Sequence, residues 1–317
     1  MITLIIKDGL GNQLFEYAYA RYLQETFYKN EKLIINPYYI NHKDFRVLSL
    51  QHFKLGEKTS IIQNSTKQAA NMRAFKIRVL WANFNELIPW KIFKKKPLGK
   101  NKFLERAQKG LYYTYTSQTN YGIYKSNNKN KFIFGCYQGE DNFKPIENII
   151  REEFQIITKA SKENQAILED IKRNNSVCLH IRRGDYLSSK WKNLQICDFN
   201  YYQKAINKIC QIIPSPTFYI FSNNHEDIEW IKSNYNFTTE INATFKYIDQ
   251  NNPDYEELRL MQSCKHFIIS NSTFSWWAAY LANYKEKIVI APDKWNLNYT
   301  GSEMIYLKEW MKISTGK

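Results

Sequence analysis

His180, Arg182, Arg183 and Asp185 stand directly after the apolar run Ser176-Val177-Cys178-Leu179. A guanidinium is planar, permanently charged and offers paired N–H donors that match two oxygens of a phosphate. Two of them where a buried strand ends describe an anion site. Asp185 can orient or offset them, and His180 is either a satisfied rim histidine or a contact to a base or phosphate. Arg183-Gly184-Asp185 is also the tripeptide by which secreted adhesion proteins engage receptors. Its place at the mouth of a core strand argues against that use.

Two more polar clusters follow apolar runs. Ser222-Asn223-Asn224-His225 comes after TFYIF, and Asn271-Ser272-Thr273-Phe274-Ser275 comes after HFIIS. The hydroxyls of Ser272, Thr273 and Ser275 open a helix, where unpaired first-turn N–H groups bind anions. The competing reading is an ordinary hydroxyl cap. Phe274 can flank a nucleotide ring, while Trp276 and Trp277 suit a core. Near the N-terminus, Gly9-Leu10-Gly11-Asn12-Gln13 follows another strand but lacks the third glycine of a dinucleotide fingerprint. No Walker sequence and no D-x-D pair is present. A bound diphosphate must therefore be offset by arginine and helix amides, with no metal and no cofactor expected.

The elements that place these loops alternate. SKENQAILEDIKRN, NYYQKAINKICQII, EDIEWIKSNY, PDYEELRLMQSC and STFSWWAAYLANY read as helices. SVCLHI, TFYIFS, TFKYID, HFIIS and KIVIAP read as strands. Such alternation predicts a parallel, doubly wound sheet, whose ligands bind beyond the carboxyl ends of the strands. The first half opens similarly: strand MITLIIK, turn DGLGNQ, helix LFEYAYARYLQETF. Helical patches such as TKQAANMRAFKIRVLWANF then mark an insertion, and FIFGCYQGEDNF a strand and turn before a junction near Pro145. The expected division is residues 1–150, residues 151–295, and a last helix, GSEMIYLKEWMKI, within 296–317 packing back across the domains.

The net charge of +15 calls for an acidic partner or a solvated basic surface. Part of it lies in KIFKKKPLGKNKFLERAQKG (Lys91 to Gly110), with eight Lys or Arg against one Glu. Contact of this segment with an anionic inner leaflet is one use. No zinc-finger, helix-turn-helix or RNP signature supports nucleic acid as partner. No apolar stretch reaches the length of a membrane span, and the N-terminus reads as a strand, not as a secretory signal. Five scattered cysteines without C-x-x-C suit a reducing cytoplasm better than disulfides or zinc.

The motifs together resemble glycosyltransferase family 11, the α-1,2-fucosyltransferases. DGLGNQLFEYA resembles that family's G-G-L-G-N-Q-x-F-x-Y-A opening, GCYQGEDNF its G-Y-x-Q-x-x-x-Y-F, and HIRRGDY its H-x-R-R-G-D-Y. CKHFIISNSTFSWWAAYL resembles its C-x-H-x-I-x-x-N-S-T-F-S-W-W-x-A-Y-L. The resemblance implies a GT-B type α/β fold of two Rossmann-like domains whose parallel sheets face a cleft, residues 1–150 on the acceptor side and 151–295 binding the GDP-sugar. It implies inverting, metal-independent transfer of L-fucose from GDP-fucose to the 2-hydroxyl of a galactose-type acceptor, in a surface glycan or lipid-linked oligosaccharide. Arg182 would hold the leaving phosphate. Gly11, Asn12, Gln13, His180, Arg183, Asp185, Ser222, Asn223 and Asn271 to Ser275 would surround the donor.

Departures exist. Asp8 stands where the family usually has glycine, Asn223-Asn224 where acids are common, and Ala278 where glycine is usual. Asp8, Glu16, Glu140 and Asp141 are acids near family motifs, but spacing selects none of them as the general base. A transferase of another GDP-sugar or linkage, and a non-catalytic glycan- or polyanion-binding protein, are the alternatives.

Overall fold

The computed structural model describes residues 1–43, 46–82, 100–114, 122–297 and 305–316. The chain divides into two compact units, Met1–Ile157 and Thr158–Lys317.

In the first unit, strands β1 (Ile2–Ile5), β2 (Leu33–Asn36), β3 (Thr59–Ile61), β4 (Leu111–Tyr113) and β5 (Lys131–Phe134) form one sheet. Its order is β3-β2-β1-β5-β4, and every pairing is parallel. β2, β3 and β4 have only three or four residues, too few for a periodic signal, and the sequence does not mark them. The Leu10–Phe27 helix is buried on most of its faces, because it packs through Leu14, Phe15, Tyr17, Ala18 and Leu23. Its Tyr19 ring stacks on Tyr137 at 3.8 Å between centroids. Tyr17 and Arg21, one turn apart, both reach Glu153: Arg21 Nη2 meets Glu153 Oε1 at 2.7 Å, and Tyr17 donates its hydroxyl to Glu153 Oε2 at 2.6 Å. Glu153 ends the Glu147–Glu153 helix, so this buried pair locks two helices together.

The expected helical insertion supplies Ser65–Ala82 and Lys100–Gln108 between β3 and β4. Met72 and Phe75 of the first pack against Ile5, Leu111 and Phe132 of the sheet. Of the basic segment, residues 91–99 lie outside the described residues.

In the second unit, β6 (Ser176–His180), β7 (Thr217–Phe221), β8 (Thr244–Tyr247), β9 (His266–Ile268), β10 (Val289–Pro292) and β11 (Met311–Ile313) order as β11-β10-β9-β6-β7-β8, all parallel. β6 and β7 are buried along their whole length, as strands covered on both faces must be. Val177, Leu179, Phe218, Ile220 and Ile268 make a core with Tyr201, Tyr202, Ala205, Ile206 and Ile209 of the Phe199–Cys210 helix. Ser161, Asp198 and Asn224 each cap the following helix by accepting an amide N–H.

The expected C-terminal helix is corrected. Met311–Ile313 pairs with β10 as a sixth strand, and the described residues before it are turns. The open edge of β10 offers backbone hydrogen bonds that a lone helix does not need. The apolar residues that suggested a helical face go elsewhere: Trp310 lies against Trp276, Tyr306 lies against Trp295, and the Ile305 carbonyl accepts from Trp276 Nε1 at 2.6 Å.

The strand order reverses between β1 and β5 in one sheet and between β6 and β9 in the other. Such reversals open a crevice beyond the strand ends. Among the described residues, no helix is long and apolar enough to cross a membrane.

Candidate active site

The second sheet brings its two key loops together at the reversal. His180 ends β6 and Ser270 follows β9, and His180 Nδ1 lies 2.9 Å from Ser270 Oγ. The Tyr186 hydroxyl donates to the Asn271 carbonyl at 3.0 Å, joining the same two loops a second time. The loop after β7 is tied in by Ser222, which donates to the Ile181 carbonyl at 2.8 Å.

Within this frame the two arginines have different fates. Arg183 Nε donates to Asp227 at 3.3 Å, and its guanidinium carbon stands 3.2 Å from the centre of the Trp230 ring. It is a tether. Arg182 is braced on one side only: Nη2 donates to Asp185 Oδ1 at 2.5 Å, with the Tyr186 ring 5.1 Å away. Its Nε is buried and makes no hydrogen bond, a condition that costs about 1–3 kcal/mol in a folded protein.

Beyond β9, the Thr273–Leu281 helix starts without a side-chain cap, since Ser272 makes no capping bond. Its first-turn amides are thus available to an anion. Phe274 stands 6.1 Å from the His180 ring.

Other expected site residues are engaged in the fold. Asn271 donates to the carbonyls of Leu194 and Trp295, and the Ser275 hydroxyl turns back on the Ser272 carbonyl at 3.3 Å. Asn223 accepts from the Arg183 amide at 3.1 Å. Sequence reasoning missed Asp227 and Trp230. Asp227 accepts from both the Gly184 amide at 2.9 Å and Arg183. Its only sequence signal is the N-x-x-D spacing from Asn224, which reads as a helix start.

Gly184 is fixed by this arrangement. Its φ is +45°, and a Cβ there would sit 2.6 Å from Asn223 Nδ2. Gly184→Ala is expected to displace Asn223 and lower stability by about 1–2 kcal/mol. Thermal melting checks this, and an unchanged midpoint would contradict it.

His180 is buried, and burial, with the neighbouring Arg182 charge, lowers its pKa to about 3. Unfolded, the ring takes a proton near pH 6.5; folded, it resists down to about 3. The unfolded chain therefore holds the extra proton within that window, and stability rises with pH there by up to about 1.4 kcal/mol per unit. His180→Asn should flatten part of this slope. Urea midpoints for both proteins at several pH values read it, and identical slopes would refute the assignment.

The N-terminal residues lie in the first unit, in the first turn of the Leu10–Phe27 helix and not in the preceding loop. Gln13 donates to the carbonyls of Asp8 and Val47 at 3.0 and 2.8 Å and accepts from the Ser49 amide, which folds the turn. Asn12 is half-buried and accepts from Gln138 Nε2 at 2.9 Å. Of the four acids, Glu140 is paired with Lys144 at 2.7 Å and Asp141 is exposed. Asp8 and Glu16 come together with Cys136 at the β1–β5 reversal.

An Escherichia coli protein named alpha-1,2-colitosyltransferase is 31% identical over 301 residues, covering 93% of this chain and 92% of its own. The O-antigen biosynthesis glycosyltransferase WbnK of Escherichia coli is 26% identical over 97% of this chain and 99% of its own. Human galactoside alpha-(1,2)-fucosyltransferase 1 is 29% identical over 186 residues, 54% of this chain and 49% of its own. The model of glycosyl transferase family 11 matches residues 1–314, and the chain, with its two parallel-sheet units and its basic loop at the second sheet's reversal, belongs to that family of glycosyltransferases.

Proposed function

We propose that the protein transfers L-fucose from GDP-fucose to the 2-hydroxyl of a galactose-type acceptor, with inversion and without a metal. The second unit takes the donor and the first unit the acceptor. The observation that carries this reading is Arg182: a guanidinium braced by Asp185, with a buried donor left over, on a loop that His180 and Tyr186 tie to the loop before an uncapped helix start. As the bond from sugar C1 to the phosphate oxygen breaks, its electron pair leaves with GDP and charge grows on the β-phosphate. A donor already aimed there binds the transition state more strongly than the ground state, which lowers the barrier. The acceptor belongs to a surface glycan or a lipid-linked oligosaccharide.

One observation favours a second donor. The relative matching 93% of the chain is named as a colitosyltransferase, so a GDP-linked colitose is the rival substrate. The discriminating experiment incubates the protein in EDTA with each GDP-sugar and a galactose-terminated oligosaccharide, then determines the linkage by NMR. Acceptor-dependent GDP release from GDP-fucose with an α-1,2 product is the expected result. Turnover confined to GDP-colitose favours the rival. No GDP release with any donor would leave a glycan- or polyanion-binding protein.

A further inference from the structure

We propose that Asp8 is the residue that accepts the proton of the attacking acceptor hydroxyl; this rests on the transfer reaction above. Asp8 lies in the turn between β1 and the Leu10–Phe27 helix, at the carboxyl end of the first sheet and beside the turn that follows β5. The crevice of a parallel sheet opens at such a reversal. Cys136 Sγ, from the turn after β5, is 4.0 Å from Asp8 Oδ2, and Lys7 Nζ is 3.7 Å from the same oxygen. Glu16 reaches into the cluster from the helix, its carboxylate within 4.8 Å of both Asp8 and Cys136. Arg46 closes the other side against Gly9. Among the described residues, the titratable and charged groups about Asp8 are thus Lys7, Glu16, Cys136 and Arg46.

Asp8 has a left-handed backbone, φ +67°, which aspartate adopts more readily than most residues, and two observations set it apart from Glu16. Its carboxylate is half-exposed, whereas Glu16 has no exposed surface. Burial, then the charge of Asp8, raises the Glu16 pKa well above the usual carboxylate range. Finally, the cluster is short of hydrogen-bond partners. Glu16 Oε1 is buried with none.

The step balances. The acceptor O–H bond breaks as its oxygen bonds to sugar C1, the proton passes to a carboxylate oxygen of Asp8, and the electron pair of the C1–phosphate bond departs with GDP.

The experiment compares wild type, Asp8→Asn and Asp8→Gly for acceptor-dependent transfer, for GDP affinity and for melting temperature. A positioned base is worth about 100-fold or more, so both variants should lose at least that much kcat/KM. GDP affinity should stay within about twofold. Because glycine adopts φ +67° freely, Asp8→Gly should melt no lower than wild type. Transfer within about threefold of wild type in either variant, or melting and GDP binding lost together, would overturn the proposal. A wild type that turns over no GDP-sugar would sink the reaction itself, whereas an active wild type with active variants sinks only Asp8.

Discussion

Arg182→Ala is expected to lose two to three orders of magnitude in kcat while melting close to wild type. The size follows from the task assigned to the guanidinium. Removing one pre-aimed donor from a site where charge develops costs about 3–4 kcal/mol, or about 10²–10³ in rate. Stability should change little, since the Arg182 guanidinium makes one ion pair, with the part-exposed Asp185, lies near the Tyr186 ring and leaves Nε unsatisfied. Deleting it also removes that buried orphan. Arg182→Lys should restore little, because an ammonium cannot reproduce a planar fork. Arg183→Ala should behave differently. It strips the Trp230 ring of its stacked guanidinium and Asp227 of one of its donors, so its loss should show in melting as much as in turnover. Steady-state kinetics beside thermal denaturation separate the two arginines. Full turnover by Arg182→Ala would end the assignment.

Glu153→Ala is expected to lower the unfolding free energy of the first unit by about 3–5 kcal/mol, since it leaves the buried Arg21 guanidinium uncompensated. Arg21 is only 8% exposed at its side chain and Glu153 10%. Glu25 also touches Arg21, at 2.8 Å and partly exposed, which places the effect toward the lower end. The Tyr17 hydroxyl loses its acceptor as well. For a unit with the usual stability of about 5–15 kcal/mol, this is a large fraction. Denaturant midpoints measure it. The neighbouring surface pair, Lys54 with Glu152 at 2.6 Å and both half or more exposed, provides the contrast: Glu152→Ala should leave the midpoint unmoved. Equal behaviour of the two variants would contradict the reading. A function is at stake too, because the helix clamped by Glu153 begins with Gly11, Asn12 and Gln13.

The second unit was largely legible in the sequence, and the physical reason is repetition. Runs such as SVCLH and TFYIF are long enough to need both faces covered, and the helices between them carry clear apolar stripes and hydroxyl or carboxylate caps. The three polar loops could be placed at strand ends for the same reason. The first unit was less legible. β2, β3 and β4 are too short for a two-residue period to emerge, and its long helix is buried on so many sides that little amphipathic contrast remains. At the C-terminus, the aromatic spacing that suggested a helical face arises because Tyr306 and Trp310 fill space around Trp276 and Trp295, while pairing to β10 decides the backbone.

Side-chain roles were legible in type but not in partner. HIRRGDY announced an anion site, yet nothing in the string says that Asp227, more than forty residues on, takes one arginine out of play. Asn271 and Ser275 were read as ligand contacts from their polarity, and the structure shows their hydrogen bonds made to backbone carbonyls. Conversely, Asp8 and Glu16 could not be ranked against Glu140 and Asp141 until the fold joined the first pair and left the others in solvent or with Lys144.

A crystal structure of the protein soaked with GDP tests the central claim most directly. The expected result is a β-phosphate hydrogen-bonded to the Arg182 guanidinium and to first-turn amides of the Thr273–Leu281 helix, with Arg183 still stacked on Trp230. A pyrophosphate bound away from Arg182, with that guanidinium still closed on Asp185, would contradict it.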